Sequence, residues 1–459
     1  MSSRLALPGC IALLSSLFLA GCYESGLPAG ELPDLGVVPD LRGTCPAEPA
    51  FGRTTHHTMG PGSTALLAIA DLDRDGRPDL IGIRADFPEK HQPDHISIAY
   101  AKPDGGFREP ILRSFGRTLT GVVAGDLDGD GRPDLVVQTV EPSSILVLHN
   151  GADDQLSVAA DILILDNTSE LVLADLDVDG DLDIVANNAG YRAVLILLNQ
   201  ASREFTLRSM VQHHGVATSG IAVADIDGDR RPDLLVSNFN EKTITLSSGR
   251  GDGTFSAGTD HPTGGMLFDL AVGDVDGDRA PDVIAADFTN GRHVLFRNQG
   301  NGALAAPTPL PLPDKTPGQK LGIADVTGDG LPELFYVHPL ARSAGVLTNA
   351  GGGRFRPARN FPIGREAIGI QVADLDGDGA LDLALAVSRP MPDPGAGVLA
   401  LLNDGSGFSD QKGRFISFAP GPGVPFQIAS GDLNGDGKPD LVIANAAGNN
   451  VTVLINMSM

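Results

Sequence analysis

An all-β chain folded as an eight-bladed β-propeller, each blade a sheet of four antiparallel strands, is predicted by three features of the sequence. An acidic nonapeptide recurs eight times at intervals of about 50 residues, a period that marks propellers and solenoids. Between copies the apolar residues fall in runs of about five to eight, rich in Val, Ile and Leu, which favours strands over helices. The 58 glycines and 33 prolines, with no tryptophan, suit many short strands joined by tight turns. The same run-and-turn order predicts that the acidic stretch joins the first and second strand of each blade. A seven-bladed ring with one atypical unit is the alternative.

The acidic unit is clearest in Asp126-Leu127-Asp128-Gly129-Asp130-Gly131-Arg132-Pro133-Asp134. Carboxylates at the first, third, fifth and ninth places tolerate one another around a hard cation. Ca²⁺ accepts six to eight oxygens, and the seventh residue adds its carbonyl. The copies supply Asp71, Asp73, Asp75 and Asp79; Asp126, Asp128, Asp130 and Asp134; Asp175, Asp177, Asp179 and Asp183; Asp225, Asp227, Asp229 and Asp233; Asp274, Asp276, Asp278 and Asp282; Asp325, Asp329 and Glu333; Asp374, Asp376, Asp378 and Asp382; and Asp432, Asn434, Asp436 and Asp440. Up to eight Ca²⁺ are expected. The sixth place is a glycine where the backbone must turn sharply, except for Arg230 and Arg279, which cost about 1 kcal/mol each if φ is positive there. The loop at Asp325 is the poorest, with Thr327 at the third place and Glu333 at the ninth; Asn434 keeps an oxygen at lower charge. An EF-hand would need flanking helices and a glutamate at the twelfth place, and neither is present.

Eight bound Ca²⁺ would bring the formal charge of −25 to about −9, so the acidity reads as cation sites rather than as a disordered tail. A charge of that sign excludes binding nucleic acid through its phosphates.

Taken in order, the chain opens with Arg4, an apolar run from about Ile11 to Ala20, and Leu19-Ala20-Gly21-Cys22. The run is too short to span a membrane and reads as a signal h-region. Leu-Ala-Gly-Cys resembles the bacterial lipobox, which implies cleavage before Cys22, acylation of that cysteine, and an exported outer-membrane lipoprotein on the periplasmic side or the cell surface. The domains are therefore a lipoprotein signal peptide (1–21), a flexible Gly/Pro-rich tether (22–47) and the propeller (48–459). Cys10 leaves with the signal and Cys45 has no partner, so there is no disulfide framework.

Each repeat then runs in one order: an apolar strand such as 220–224, the acidic loop, a second strand such as 233–236, a third such as Val194 to Leu198, and a fourth beginning near a glycine-aromatic pair such as Gly253-Thr254-Phe255. After the last loop only two runs remain, Leu441 to Asn445 and Val451 to Ile455. The stretch Ala50 to Met59 matches the missing fourth strand. It is predicted to complete the last blade, closing the ring and removing free edges.

The order of apolar strand, Asp-x-Asp-x-Asp-Gly-x-x-Asp, apolar strand and Asn-x-Gly-x-Gly-x-Phe resembles the FG-GAP or VCBS repeats of integrin α-subunits and bacterial surface proteins, over residues from about 50 to 459. The resemblance implies Ca²⁺ in loops on one face of the disc and a ligand on the opposite face or rim, hence a binding or adhesion module for glycans or proteins. On that opposite face the expected ligand-side residues are His91, His95, Tyr191, Arg192, His213, His214, His261, Arg292 and His293. No nucleophile elbow, metalloprotease helix or phosphate loop is evident, so a non-enzyme is expected, and a monomer. A polysaccharide lyase similar to the rhamnogalacturonan lyases is the enzyme alternative, although mostly short loops argue against a deep cleft. A purely structural envelope component is the third reading.

Overall fold

The structure, a computed structural model, describes residues 51–459 apart from 60–63, 85–94, 152–155, 165–167, 189–190, 201–203, 214–217, 313–319, 340, 364–365, 389–396, 409–413, 419–423, 447–449 and 458–459. The expected signal segment, tether, Cys22 and Cys45 lie outside the described residues, as do His91 and His214.

Eight four-stranded antiparallel sheets follow one another along the chain. Blade 1 is Thr64–Ala70, Asp79–Arg84, His95–Ala99 and Ile111–Ser114. Blade 2 is Thr118–Gly125, Asp134–Val140, Ser144–Asn150 and Leu156–Leu163. The first strands of blades 3 to 8 are Thr168–Ala174, Thr218–Ala224, Leu267–Gly273, Lys320–Ala324, Glu366–Ala373 and Val424–Gly431. Each first strand lies against that of the next blade, and that of blade 8 against that of blade 1, so the eight form a closed inner ring. The closing seam is held by a side-chain amide: Leu67 N–H donates to Gln427 Oε1 at 2.8 Å and Gln427 Nε2 donates to Leu67 O at 2.9 Å.

The last blade is completed as expected. Phe51–Thr58 pairs antiparallel with Asn450–Asn456, so that the outermost strand of blade 8 comes from the start of the domain. Eight blades, not seven, result.

Second and third strands are buried nearly throughout, because each blade has a neighbour on both faces. The core is accordingly a series of apolar layers between blades. Between blades 1 and 2 it comprises Ile81, Ile83, Ile96 and Ile98 with Leu135, Val137, Leu146 and Leu148. Leu67, Leu80 and Phe107 with Val442, Val451 and Val453 form the corresponding layer between blades 1 and 8.

The fourth strands start later than the glycine-aromatic pair suggested. In blade 4, Phe255 makes an isolated bridge to Gly249 and packs toward the core, and the ladder begins only at Thr259–Pro262. The aromatic ring needs burial, so its residue folds inward instead of extending the sheet edge.

Candidate metal centre

All eight acidic loops connect the first and second strands of their blades, and they repeat one geometry. The first-place carboxylate accepts backbone N–H groups from across the turn: Asp126 takes Gly129 at 2.9 Å and Gly131 at 2.8 Å, and Asp374 takes Gly377 at 2.7 Å and Gly379 at 3.0 Å. The sixth place does require positive φ, 69° at Arg230 and 74° at Arg279. The fourth place requires it too, which the spacing did not suggest. Glycine fills it in most copies, but Arg74 (60°) and Val178 (64°) adopt it in loops 1 and 3.

The ninth-place acids, Asp79, Asp134, Asp183, Asp233, Asp282, Glu333, Asp382 and Asp440, are fully buried. One oxygen of each accepts the N–H of the second loop residue (Leu72, Leu127, Leu176, Ile226, Val275, Val326, Leu375, Leu433). The other accepts an N–H at or just beyond the end of the third strand, from Ala101, Asn150, Asn199, Gly249, Asn298, Asn349, Asn403 or Asn456. Glu333 reproduces both bonds with its longer arm.

Burial, with the nearby third- or fifth-place charges, pushes Asp79 and Asp382 up to about 7 and Asp183, Asp282 and Asp440 up to about 6, against the backbone N–H bonds that favour the anion. A cation beside them would remove that penalty. Oxygens of Asp71, Asp73 and Asp79 converge within 4.8 Å, as do those of Asp126, Asp128 and Asp130, of Asp175, Asp177 and Asp183, and of Asp225, Asp227 and Asp229. Asp177 Oδ1 is sealed from solvent and accepts no hydrogen bond, as an oxygen waiting for a cation would be. The donor set of hard oxygens fits Ca²⁺.

The loops differ in what else they hold. In loops 1 and 4 the seventh-place arginines, Arg77 and Arg231, lie on the fifth-place carboxylates Asp75 and Asp229, so a metal must compete with an internal cation. Loops 3, 5 and 7 carry Asp181, Ala280 and Ala380 at that place. In loop 2, His149 Nδ1 lies 3.2 Å from Asp134 Oδ1 and 3.8 Å from Asp128 Oδ2, a nitrogen among the oxygens that the loop spacing could not reveal.

The ligand-side candidates are scattered. Tyr191 and Arg192 occupy the turn between the second and third strands of blade 3, Tyr191 exposed and Arg192 at φ 49°. His213 follows the outermost strand of that blade and is buried. His95 is a correction: it begins a third strand and is buried. His261 lies within the outermost strand of blade 4 rather than in a connection. Arg292 begins the third strand of blade 5 and binds Asp287 Oδ2 through Nε at 2.9 Å.

His293, next along that strand, is fully buried, so it cannot meet a ligand from solution. Its ring stacks on His338 at 6.0 Å and meets Tyr336 edge-on at 5.0 Å, both from blade 6, and neither ring nitrogen has a hydrogen-bond partner. Burial first, and His338 second, push its pKa down to about 3. The folded value lies below the unfolded one of about 6.5, so this residue's contribution is complete above pH 6.5 and lost as pH falls toward 3. In saturating calcium, wild type should therefore lose stability relative to His293→Leu by about 1.4 kcal/mol per pH unit between pH 6 and 4, read from denaturant melts at each pH. Parallel pH profiles would contradict this.

A model of the FG-GAP-like repeat matches residues 71–137, 175–236, 225–285, 274–336 and 325–385, and one of the FG-GAP repeat matches 424–454. No curated protein matches the chain. Among solved structures, the exotype rhamnogalacturonan lyase YesX is similar with a TM-score of 0.57 at 14% identity, over 88% of this chain and 76% of the lyase. An Agrocybe aegerita lectin that recognises non-reducing terminal N-acetylglucosamine is similar at a TM-score of 0.49 and 20% identity, over 74% of this chain and 91% of the lectin. BBS1N, solved in complex with ARL6DN, gives 0.46 at 15% identity, over 73% and 92%. At 14% identity the likeness to the lyase speaks to fold alone. The repeat matches cover more than half of the chain, each FG-GAP-like match running from one acidic loop through the next, and the protein belongs to the FG-GAP repeat family.

Proposed function

We propose that this protein is a calcium-loaded, non-enzymatic binding module, anchored to the bacterial envelope through Cys22, that captures a glycan or protein partner. The observation that carries this reading is the set of eight acidic loops on one face of a closed ring, each built around a fully buried carboxylate. Cation binding there stiffens the scaffold and leaves the rim and opposite face to present loops. Export through a lipidated Cys22 rests on the lipobox-like segment.

The test is to pass the purified protein over a glycan array and immobilised envelope proteins, with calcium and with chelator, and separately to incubate it with acidic pectic polysaccharides. Saturable retention that disappears with chelator, together with unchanged polysaccharide, is expected. Release of unsaturated, ultraviolet-absorbing sugars would replace the binding reading with a lyase.

A further inference from the structure

We propose that the calcium loops are coupled in series through buried asparagines, and that the series is broken between loops 3 and 4 and between loops 8 and 1, so that loops 1 to 3 respond separately from the arc that begins at loop 4. The proposal rests on the calcium reading above and concerns how the sites regulate one another.

The coupling element is the residue whose N–H reaches the ninth-place carboxylate. In blades 2, 3, 5, 6 and 7 this residue is an asparagine whose side chain reaches back to the preceding loop, and blade 8 carries Asn456 at the same place. Asn150 Nδ2 of blade 2 donates to Leu72 O of loop 1 at 2.8 Å, and Asn199 Nδ2 of blade 3 to Leu127 O of loop 2 at 2.6 Å. Asn298, Asn349 and Asn403 of blades 5, 6 and 7 donate likewise to Ile226 O, Val275 O and Val326 O of loops 4, 5 and 6, at 2.5, 2.8 and 2.5 Å. These asparagines are at most 4% exposed, so water does not compete for the bonds.

Each acceptor carbonyl belongs to the second loop residue, whose own N–H is held by the ninth-place carboxylate of its loop. A continuous path of hydrogen bonds therefore runs from one buried carboxylate, through the asparagine of that blade, to the buried carboxylate of the blade before. Fixing a carboxylate on a cation fixes the amide, and the amide orders the preceding loop. Order already established in one site need not be supplied again by the next, which is positive cooperativity.

Two blades lack the side chain that carries the path. Blade 4 has Gly249 and blade 1 has Ala101 at this place, each keeping the N–H bond to its own carboxylate, Asp233 or Asp79. At Gly249 a Cβ would stand 2.0 Å from Pro232 O, so the backbone there is packed for a residue with no side chain at all. The links from loop 3 to loop 4 and from loop 8 to loop 1 are therefore missing.

The test uses the full chain in detergent, with Ca²⁺ as the probe and hydrogen exchange of each loop's amides as the readout across a calcium titration. Asp276→Ala, which removes a third-place carboxylate from loop 5, should raise the calcium needed to protect loops 4 and 6 by about three- to tenfold and leave loops 1 and 2 unchanged. Asp177→Ala in loop 3 should shift loop 2 and not loop 4. Asn298→Ala, which spares every acidic side chain, should cancel the effect of Asp276→Ala on loop 4. Equal shifts of loops 2 and 4 with Asp177→Ala, or no shift of any neighbour with Asp276→Ala, would overturn the coupling while leaving the calcium sites intact. A wild-type protein in which no loop responds to calcium would overturn the calcium reading itself.

Discussion

Removing residues 1–59 should lower the melting temperature by about 10 °C, or leave a chain that aggregates on purification. Among the described residues, the strand Phe51–Thr58 is the only neighbour on one side of Asn450–Asn456, whose seven residues are all buried. Deletion would strip that strand of one hydrogen-bonded ladder and uncover Val451, Val453 and Ile455. It would also remove Met59, which is 2% exposed and sits in the layer between blades 8 and 1. The edge-on contact of His57 with Phe107 of blade 1, 5.1 Å between ring centres, would go as well. With about 1 kcal/mol per ladder bond and about 2 kcal/mol for a buried Met, the loss is on the order of 8–10 kcal/mol. An unfolding entropy of about 2.1 cal/mol/K per residue over roughly 400 residues converts this to the shift above. A synthetic peptide spanning 51–59, added in excess, should restore part of it, because the strand is an independent piece that closes the ring by pairing alone. An unchanged melting curve in the deleted protein would mean that the ring is closed by the Gln427 seam without the strand.

That closure was legible because it follows from counting: eight acidic loops, but two strands after the last one and one unassigned stretch like a fourth strand before the first. The positive φ at Arg230 and Arg279 was legible for the same reason, since six sister loops have glycine at that place. The inter-blade asparagines were not. An Asn just past an apolar run reads locally as a turn former, and its side-chain acceptor lies 72 to 78 residues away in the chain. The repeated Asn about 16 residues after the ninth-place acid was the available signal. His293 misled in the opposite way. A histidine next to an arginine near a turn suggests a solvated loop, but a third strand is covered on both faces by its neighbouring blades, and the ring of His293 was drawn into that layer against Tyr336 and His338.

Chelating calcium should cost more stability than losing the closing strand, through a different route. Eight ninth-place acids are held out of water, and those with values pushed up to about 6 or 7 are penalised as anions near neutral pH unless a cation stands beside them. Each site held at calcium a hundredfold above its dissociation constant adds about 2.7 kcal/mol to the folded state. Five such sites would add about 13 kcal/mol, or about 15 °C in a domain of this size. The sites should not contribute equally. Loops 1 and 4 already hold an arginine on the fifth-place carboxylate, and loop 6 lacks a carboxylate at the third place, so loops 3, 5 and 7 should bind most tightly. Asp376→Ala in loop 7 should lower the melting temperature by about 3 °C in calcium and by under about 1 °C in chelator, whereas Asn434→Ala in loop 8 should do less in calcium, having removed a neutral ligand. Magnesium at the same concentration should restore little, since its small octahedral shell retains water and does not suit six to eight protein oxygens. Coincident melting curves with calcium and with chelator would show that the buried carboxylates are held by their backbone hydrogen bonds alone, and the ring would then be a scaffold that needs no metal.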